Sequence, residues 1–400
     1  MKNSKKGSSS VFLMLIIATL MTIVLGFMTG ARNEYMASRS DGLINLAADS
    51  VMSEYDYQVE KEYGLFILGG RRGALENKMR NYIDFGLSDV RTVRTTSVSV
   101  SGSGYSLANC QQIENQIVDS MKYAQVQGLL DSKYKLPDEP NTMKEEVLRN
   151  GQTIVSLPSY DMPELSITSI AESLATGIKG PGEALKQGTD SYLINKYVMS
   201  HFNNSLYMKD ENHFFRSEVE YVLGGKLSDK ENDRRVDMAI VAMRFPLNMK
   251  YLLTDKAKME ELLAAAEVLT PEAAPVTQMI LASSWAYMES DNDVKLLRAG
   301  YKIPISKDSL TWAVDIDSLL DGLNEGMFKP EVNRGNDYGD YLQMLLFATN
   351  SDIKMARIMD LIQINMRMNY DSTFVMGEHC VGLHVSAKVN GRKFSYEKMY

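Results

Sequence analysis

Cysteine is scarce: Cys110 and Cys380 are the only two among 400 residues. Their separation excludes a close-spaced zinc clip or dithiol redox motif. It leaves two separate buried thiols or, in an exported domain, one Cys110–Cys380 disulfide. Proline is absent before Pro137, so nothing in the first 136 positions forbids a long helix. A basic excess is missing too, with 43 Lys and Arg against 51 Asp and Glu and a net charge of −8. The first 30 residues hold Lys2, Lys5 and Lys6 and no acid, so the remainder is more acidic still. That balance excludes a nucleic-acid footprint and argues against broad adhesion to anionic lipid. Repeats and low-complexity tracts are also lacking. Hydrophobic content of 44% and charged content of 24% are those of a chain that folds around a sizeable core.

One long hydrophobic run is present. Val11 to Met28, extended by Thr29 and Gly30, carries no charge. At about 1.5 Å per residue it spans roughly 30 Å, the thickness of a hydrocarbon core. It exceeds the roughly 7–15 residues of a secretory signal, and "GARNEYMASRS" after it has no Ala-x-Ala site. The run reads as an anchor. Lys2, Lys5 and Lys6 outweigh Arg32 and Arg39, which places the N-terminus (1–10) inside and the bulk outside. The helical pattern continues beyond the span (11–30). Leu43, Ala47, Val51, Tyr55 and Val59 recur every four residues, flanked by Ile44, Ala48 and Met52. This predicts an amphipathic continuation over 31–68, stopped near Gly69–Gly70.

The remainder, 69–400, reads as an α+β domain. Alternation predicts strands near 89–100, 215–223, 381–389 and 392–400, making one antiparallel sheet covered by helices. The last two flank Asn390-Gly391, the hairpin dipeptide. Helical periods follow Ile113–Ala124 and mark stretches near 230–250, 255–268 and 276–299. "YGDYLQMLLFATNSDIKMARIMDLIQINMRMN" is a long helical tract with a break near Asn350. Pro137, Pro140, Pro158 and Pro163, with the glycines of 176–190, mark a loop or insertion near 131–190.

The usual chemical signatures fail. His379 and His384, five apart on a strand, fall on opposite faces. "VLGGKLS" lacks the first glycine of a phosphate loop, because Glu220 stands there. The acids Glu289, Asp291 and Asp293, and the set Asn333, Asn336, Asp337 and Asp340, match no calcium loop and read as helix ends or solvated loops. Glu218 and Glu220 alternate with Val219 and Tyr221, as on the solvent face of an edge strand. A hydrolase would need those acids, or 289–293, in a cleft with raised pKa values. Met355, Met359, Met366 and Met368 fit a core, or an adaptable partner surface. No catalytic residue, cofactor or metal ligand is assigned.

Two stretches carry a resemblance. "KKGSSSVFLMLIIATLMTIVLGF" and "GLINLAADSVMSEYDYQVEKEYGLFIL" resemble the N-terminal pattern of TadE/TadG-like proteins of tight-adherence (Flp) pilus loci. "QIVDSMKY", "SEVEYVLGGK", "WAYMESDNDVKLLRAGYKIPISKD" and "RIMDLIQINMR" look like an uncharacterised group from such loci in Gram-positive bacteria. The resemblance implies a single-pass protein of the bacterial cell membrane, its C-terminal domain extracytoplasmic. It would be a minor pilin or an accessory of pilus assembly or secretion, and not an enzyme. Its partners would be membrane lipid, other pilin-like or secretion-system membrane proteins, and copies of itself. Gly7 and Ser8 stand where such proteins are processed, although the Glu usual at the fifth position after the cut is Phe12 here. Gly7, Gly26, Gly30 and Ser8–Ser10 permit close helix approach. Glu34 could offset a partner's positive amino terminus or arginine, and Leu43, Ala47, Val51 and Tyr55 extend the candidate assembly helix. The alternative in another class is a tethered module that binds cell wall or an extracellular ligand. An exported hydrolase ranks below both.

Overall fold

The structure is a computed structural model that describes residues 6–70, 72–88, 95–126, 154, 156–160, 162, 189–322 and 326–400. Most of the expected 131–190 insertion and the 89–94 end of the first strand lie outside the described residues. The chain divides into two compact units. One comprises Met1–Tyr57, Phe66–Leu107 and Glu378–Tyr400; the other comprises Gln58–Leu65 and Ala108–Gly377. The larger segment of the second unit, Ala108–Gly377, is thus inserted in sequence between two strands of the first.

The first unit contains α1 (Lys6–Met52), α3 (Arg72–Gly86) and the strands β1 (Thr95–Ser101), β2 (Gly382–Val389) and β3 (Arg392–Met399). The sheet is antiparallel in the order β1-β2-β3. Side chains alternate across a strand, and both faces are used as that alternation dictates. Val98 and Val100, with Leu383, Val385, Ala387 and Val389, face a core shared with Ile44, Ala47, Ala48, Val51 and Met52 of α1 and with Leu75, Met79 and Ile83 of α3. The opposite face brings together Ser97, Ser99 and Ser101, Lys388, Ser386 and His384, and Lys393, Ser395 and Glu397. The β2–β3 turn is the expected one: Asn390 and Gly391 both take positive φ, 47° and 85°, which suits the right-handed twist of the flanking strands.

α1 ends at Met52, short of the expected helix to 68. Four residues then turn. The Asp56 N–H donates to the Ile67 carbonyl at 2.8 Å, and the Ser53 hydroxyl takes the Ser50 carbonyl, which competes with helix continuation. Tyr55 consequently leaves the helical stripe and meets Phe66 edge-on at 5.0 Å. A separate short helix, α2 (Tyr57–Tyr63), follows.

The second unit is helical: α4 (Cys110–Val126), α5 (Thr189–His201), α6 (Glu218–Gly224), α7 (Asp229–Thr254), α8 (Lys256–Leu269), α9 (Ala274–Arg298), α10 (Ile316–Leu320), α11 (Tyr338–Ala348) and α12 (Ser351–Asn369). The break at Asn350 has a physical cause. Its side chain caps α12, accepting from the N–H groups of Asp352 and Ile353 at 2.9 and 3.3 Å. Asn350→Ala should cost about 1 kcal/mol, read as a lower urea midpoint; an unchanged midpoint would show that packing alone holds that turn.

The strand expected over 215–223 is instead α6. The Tyr221 N–H donates to the Ser217 carbonyl at 2.9 Å and the Gly225 N–H to the Tyr221 carbonyl at 2.7 Å. Every residue from Glu218 to Gly224 is buried, so the alternation of acids with apolar residues does not mark a wet and a dry face. Gly225 closes the helix at φ 66°. A Cβ there would also strike the Arg357 guanidinium, which donates to the Val222 and Leu223 carbonyls at 2.8 and 2.9 Å. The glycine pair of "VLGGK" is therefore a helix end.

Candidate functional site

Two features concentrate unusual chemistry: the N-terminal helix, and a set of buried charges in the inserted unit.

The first half of α1 has no cover. Phe12, Met14, Met21 and Phe27 are 65–76% exposed. The helix over Ser10–Met52 contains a window of mean hydropathy 2.7, none of it buried, and is long and apolar enough to cross a membrane. The threonines of its uncharged run are satisfied within the helix, as lipid would require. The hydroxyls of Thr19, Thr22 and Thr29 donate to the carbonyls of Leu15, Ala18 and Leu25 at 2.7–2.8 Å. Gly26 and Gly30, four apart, share a face. A Cβ at either would meet nothing within 4 Å, and Ile23, Gly26, Phe27, Gly30 and Ala31 line a shallow groove. Gly7 and Ser8 lie in the first turn of α1.

The second half is committed to its own unit. Ala47 and Val51 are core, and Leu43 packs beside them, against Gly86. These positions face the protein's own sheet, not a partner helix. Glu34 is met within the chain by Arg392, at 2.5 and 3.2 Å. That hydrogen bond and charge hold the Glu34 carboxyl below its usual range. Asp41 is reached by the Tyr396 hydroxyl, and Asp49 pairs with Lys398 at 2.7 Å. The geometry explains the set. From 34 to 49 a helix rises about 22 Å and from 392 to 398 a strand about 20 Å, and alternate strand residues share one face. The signal was present in the sequence as an acidic series on α1 and an alternating Arg392, Phe394, Tyr396, Lys398 series; only the fold aligns them.

The inserted unit buries Glu218 and Glu220, and buries Glu289 and Asp293 as well. The carboxylate of Glu218 accepts from the Asn203 N–H and the Asn365 amide, each at 2.7 Å, and pairs with His213 Nδ1 at 2.7 Å. Burial works against the charged imidazole, but the charge and hydrogen bond of Glu218 outweigh it and raise the His213 pKa. Glu220 accepts from the Ser205 N–H and hydroxyl at 3.1 and 2.8 Å and from the Tyr338 hydroxyl at 2.8 Å; burial raises its pKa despite the Arg298 charge. The two acids thereby pin the segment between α5 and α6.

A second network joins α7, α9 and the 303–314 segment. Arg244 donates to Asp293 at 2.9 Å, to Asn248 at 2.9 Å and to the carbonyls of Pro304 and Ile305 at 2.9 and 2.8 Å. Lys307 pairs with Asp293 at 2.5 Å and also with Glu289. Glu289 in turn accepts the N–H groups of Ala313 and Val314 at 3.0 and 2.8 Å. Burial pushes Glu289 up against the pull of Lys307, whereas Lys307 and Arg244 together overcome burial and hold Asp293 low. All four charged side chains are fully buried. Glu289 and Asp293 are thus neither a helix end nor a solvated loop. Asp291 stands apart, paired with Lys295.

The other candidates have local roles. Asn333 accepts from the Lys302 N–H, Asn336 pairs with Ile303, and Asp337 with Asp340 forms the capping box of α11. His384 sits on the polar face of β2 and meets Ser395, while His379 lies against Gly69. Cys110 and Cys380 are free thiols in different units. Among the described residues, no three His, Cys, Asp or Glu side chains converge as a metal site requires.

Fold and site together define an α+β protein led by one helix able to cross a membrane. Residues 112–391 match the Family of unknown function (DUF5702). The match covers more than half of the chain, which therefore belongs to that family. It begins inside α4 and ends at the β2–β3 turn, so α1 lies outside it. No curated protein and no solved structure matches the chain.

Proposed function

We propose that the chain is a membrane-anchored, non-catalytic accessory or minor subunit of a tight-adherence-type pilus or related secretion system, with both units extracytoplasmic. The observation that carries this reading is the division of α1. It is one continuous helix whose first half exposes its apolar side chains and whose second half is core of the first unit. Burying each large apolar side chain is worth about 1.5–3 kcal/mol, so the exposed half requires lipid or other apolar helices. The packed half transmits any displacement of the anchor to the sheet. The Gly26–Gly30 face supports close lateral contact there. Buried Glu218, Glu289 and Asp293 support a non-catalytic reading, because the protein's own donors and cations occupy both oxygens of each.

The test is to exchange residues 11–30 for an unrelated membrane helix in the native host. The full-length native protein should stay in the membrane fraction and co-purify with filament or secretion components; the exchanged protein should stay in the membrane and lose those components. Retention of the components would discard assembly through the helix in favour of the tethered binding module. A native species beginning at Ser8, recovered with sheared filaments, would instead identify a processed subunit.

A further inference from the structure

α9 is apolar on two opposite faces, and only one of them is used. Ala282, Trp285 and Ala286 point inward and are fully buried. On the other face Val276 is 64%, Ile280 60% and Tyr287 52% exposed, with Met279 at 44% beside them. These positions recur at helical spacing and form a stripe about 16 Å long. The end of α8, just before the turn into α9, adds Val268 at 84% and Leu269 at 56% exposed. The turn is prebuilt: the hydroxyls of Thr270 and Thr277 meet at 2.5 Å, and the Gln278 amide donates to the Met259 carbonyl at 2.8 Å. A contiguous exposed apolar patch of this kind marks a binding surface, and little ordering would be needed to dock it.

The charge around the patch selects the occupant. From Met259 to Val294 there is no Lys or Arg, while Glu260, Glu261, Glu267 and Glu272 are all exposed. An anionic lipid surface would repel this stretch. A second copy docking face to face would set acid against acid. We propose that the outer face of α9 and its leading turn dock, as a helix laid in a groove, onto a different protein whose apolar groove is rimmed by Lys or Arg. This surface lies wholly in the inserted unit, and its assignment does not depend on the pilus reading.

The test uses the full-length protein in its native envelope, with a photo-crosslinking residue placed singly at 276, 280 or 287. The expected result is one adduct to another protein, mapped by mass spectrometry to an apolar segment flanked by Lys or Arg. Its yield should fall about fivefold or more in the Glu267→Lys, Glu272→Lys double variant, and in high salt. These positions are exposed, so the melting temperature should not move. Adducts to lipid, to a second copy or to residues 127–188 of the same chain would overturn the proposal. So would the absence of any adduct, or a yield indifferent to the charge reversal.

Discussion

Asp293→Ala is expected to destabilise the inserted unit by about 3–5 kcal/mol. The loss exceeds that of one hydrogen bond because the carboxylate serves three partners at once. Arg244 loses its 2.9 Å ion pair, Asn248 loses an acceptor at 3.0 Å, and Lys307 loses one of its two carboxylates. Arg244 and Lys307 are themselves fully buried, so neither can recover by turning to water. The penalty is that of stranding two cations, not the net worth of an ion pair. Asp293→Asn, which keeps a side-chain oxygen to accept from Arg244 or Asn248, should therefore cost less than Asp293→Ala. Denaturant unfolding of the full chain, followed by Trp285 and Trp312 fluorescence, measures both variants. The two tryptophans lie beside this network, their rings 5.4 Å apart. A loss under about 1 kcal/mol for Asp293→Ala would show the network to be solvated and refute its stranding role.

Glu218→Ala should have an effect of similar size, about 3–5 kcal/mol. It leaves the Asn203 N–H, the Asn365 amide and His213 without their acceptor, at about 1–3 kcal/mol for each buried polar group. Here pH supplies an independent signature. His213 has a folded pKa raised above its ordinary value of 6.5, by Glu218 and, more weakly, by Asp210 and Glu62, against burial. Its stabilisation is complete below about pH 6.5 and is lost as pH rises through the folded value. His201 acts in the opposite sense. Burial depresses it to about 4, and its ring packs on Tyr197 at 4.1 Å, so stability falls as pH drops from about 6.5 toward 4. The melting temperature should thus decline on both sides of a maximum near neutrality. Measurements should stop near pH 8, where Lys354, lowered to about 8 by burial, adds an opposing slope. Glu218→Gln should flatten the alkaline limb and leave the acid limb intact. An alkaline limb that survives the substitution would exclude the His213–Glu218 pair as its source.

What was legible in the sequence was local. The uncharged run after Lys6, the four-residue period through Leu43, Ala47 and Val51, the Asn390-Gly391 turn and the break near Asn350 each depend on residues within a turn or two of one another. Periodicity and capping report such interactions directly. Where the same local logic met buried polar groups, it misassigned them. The alternation of Glu218 and Glu220 with Val219 and Tyr221 suggested a strand with one wet face, whereas α6 buries all four.

By itself the sequence determined that a membrane-competent helix leads the chain, that a β-hairpin ends it, and where most helices lie. Only the tertiary structure decided that β1 pairs with β2 across the whole inserted unit, and that α1 lays Glu34, Asp41 and Asp49 along β3. It also decided that Glu218, Glu220, Glu289 and Asp293 are buried partners instead of surface charges. The reason is physical. A carboxylate is tolerable in a core only when donors surround it, and here those donors come from distant parts of the chain: Asn365 lies 147 positions from Glu218, and Tyr338 lies 118 from Glu220.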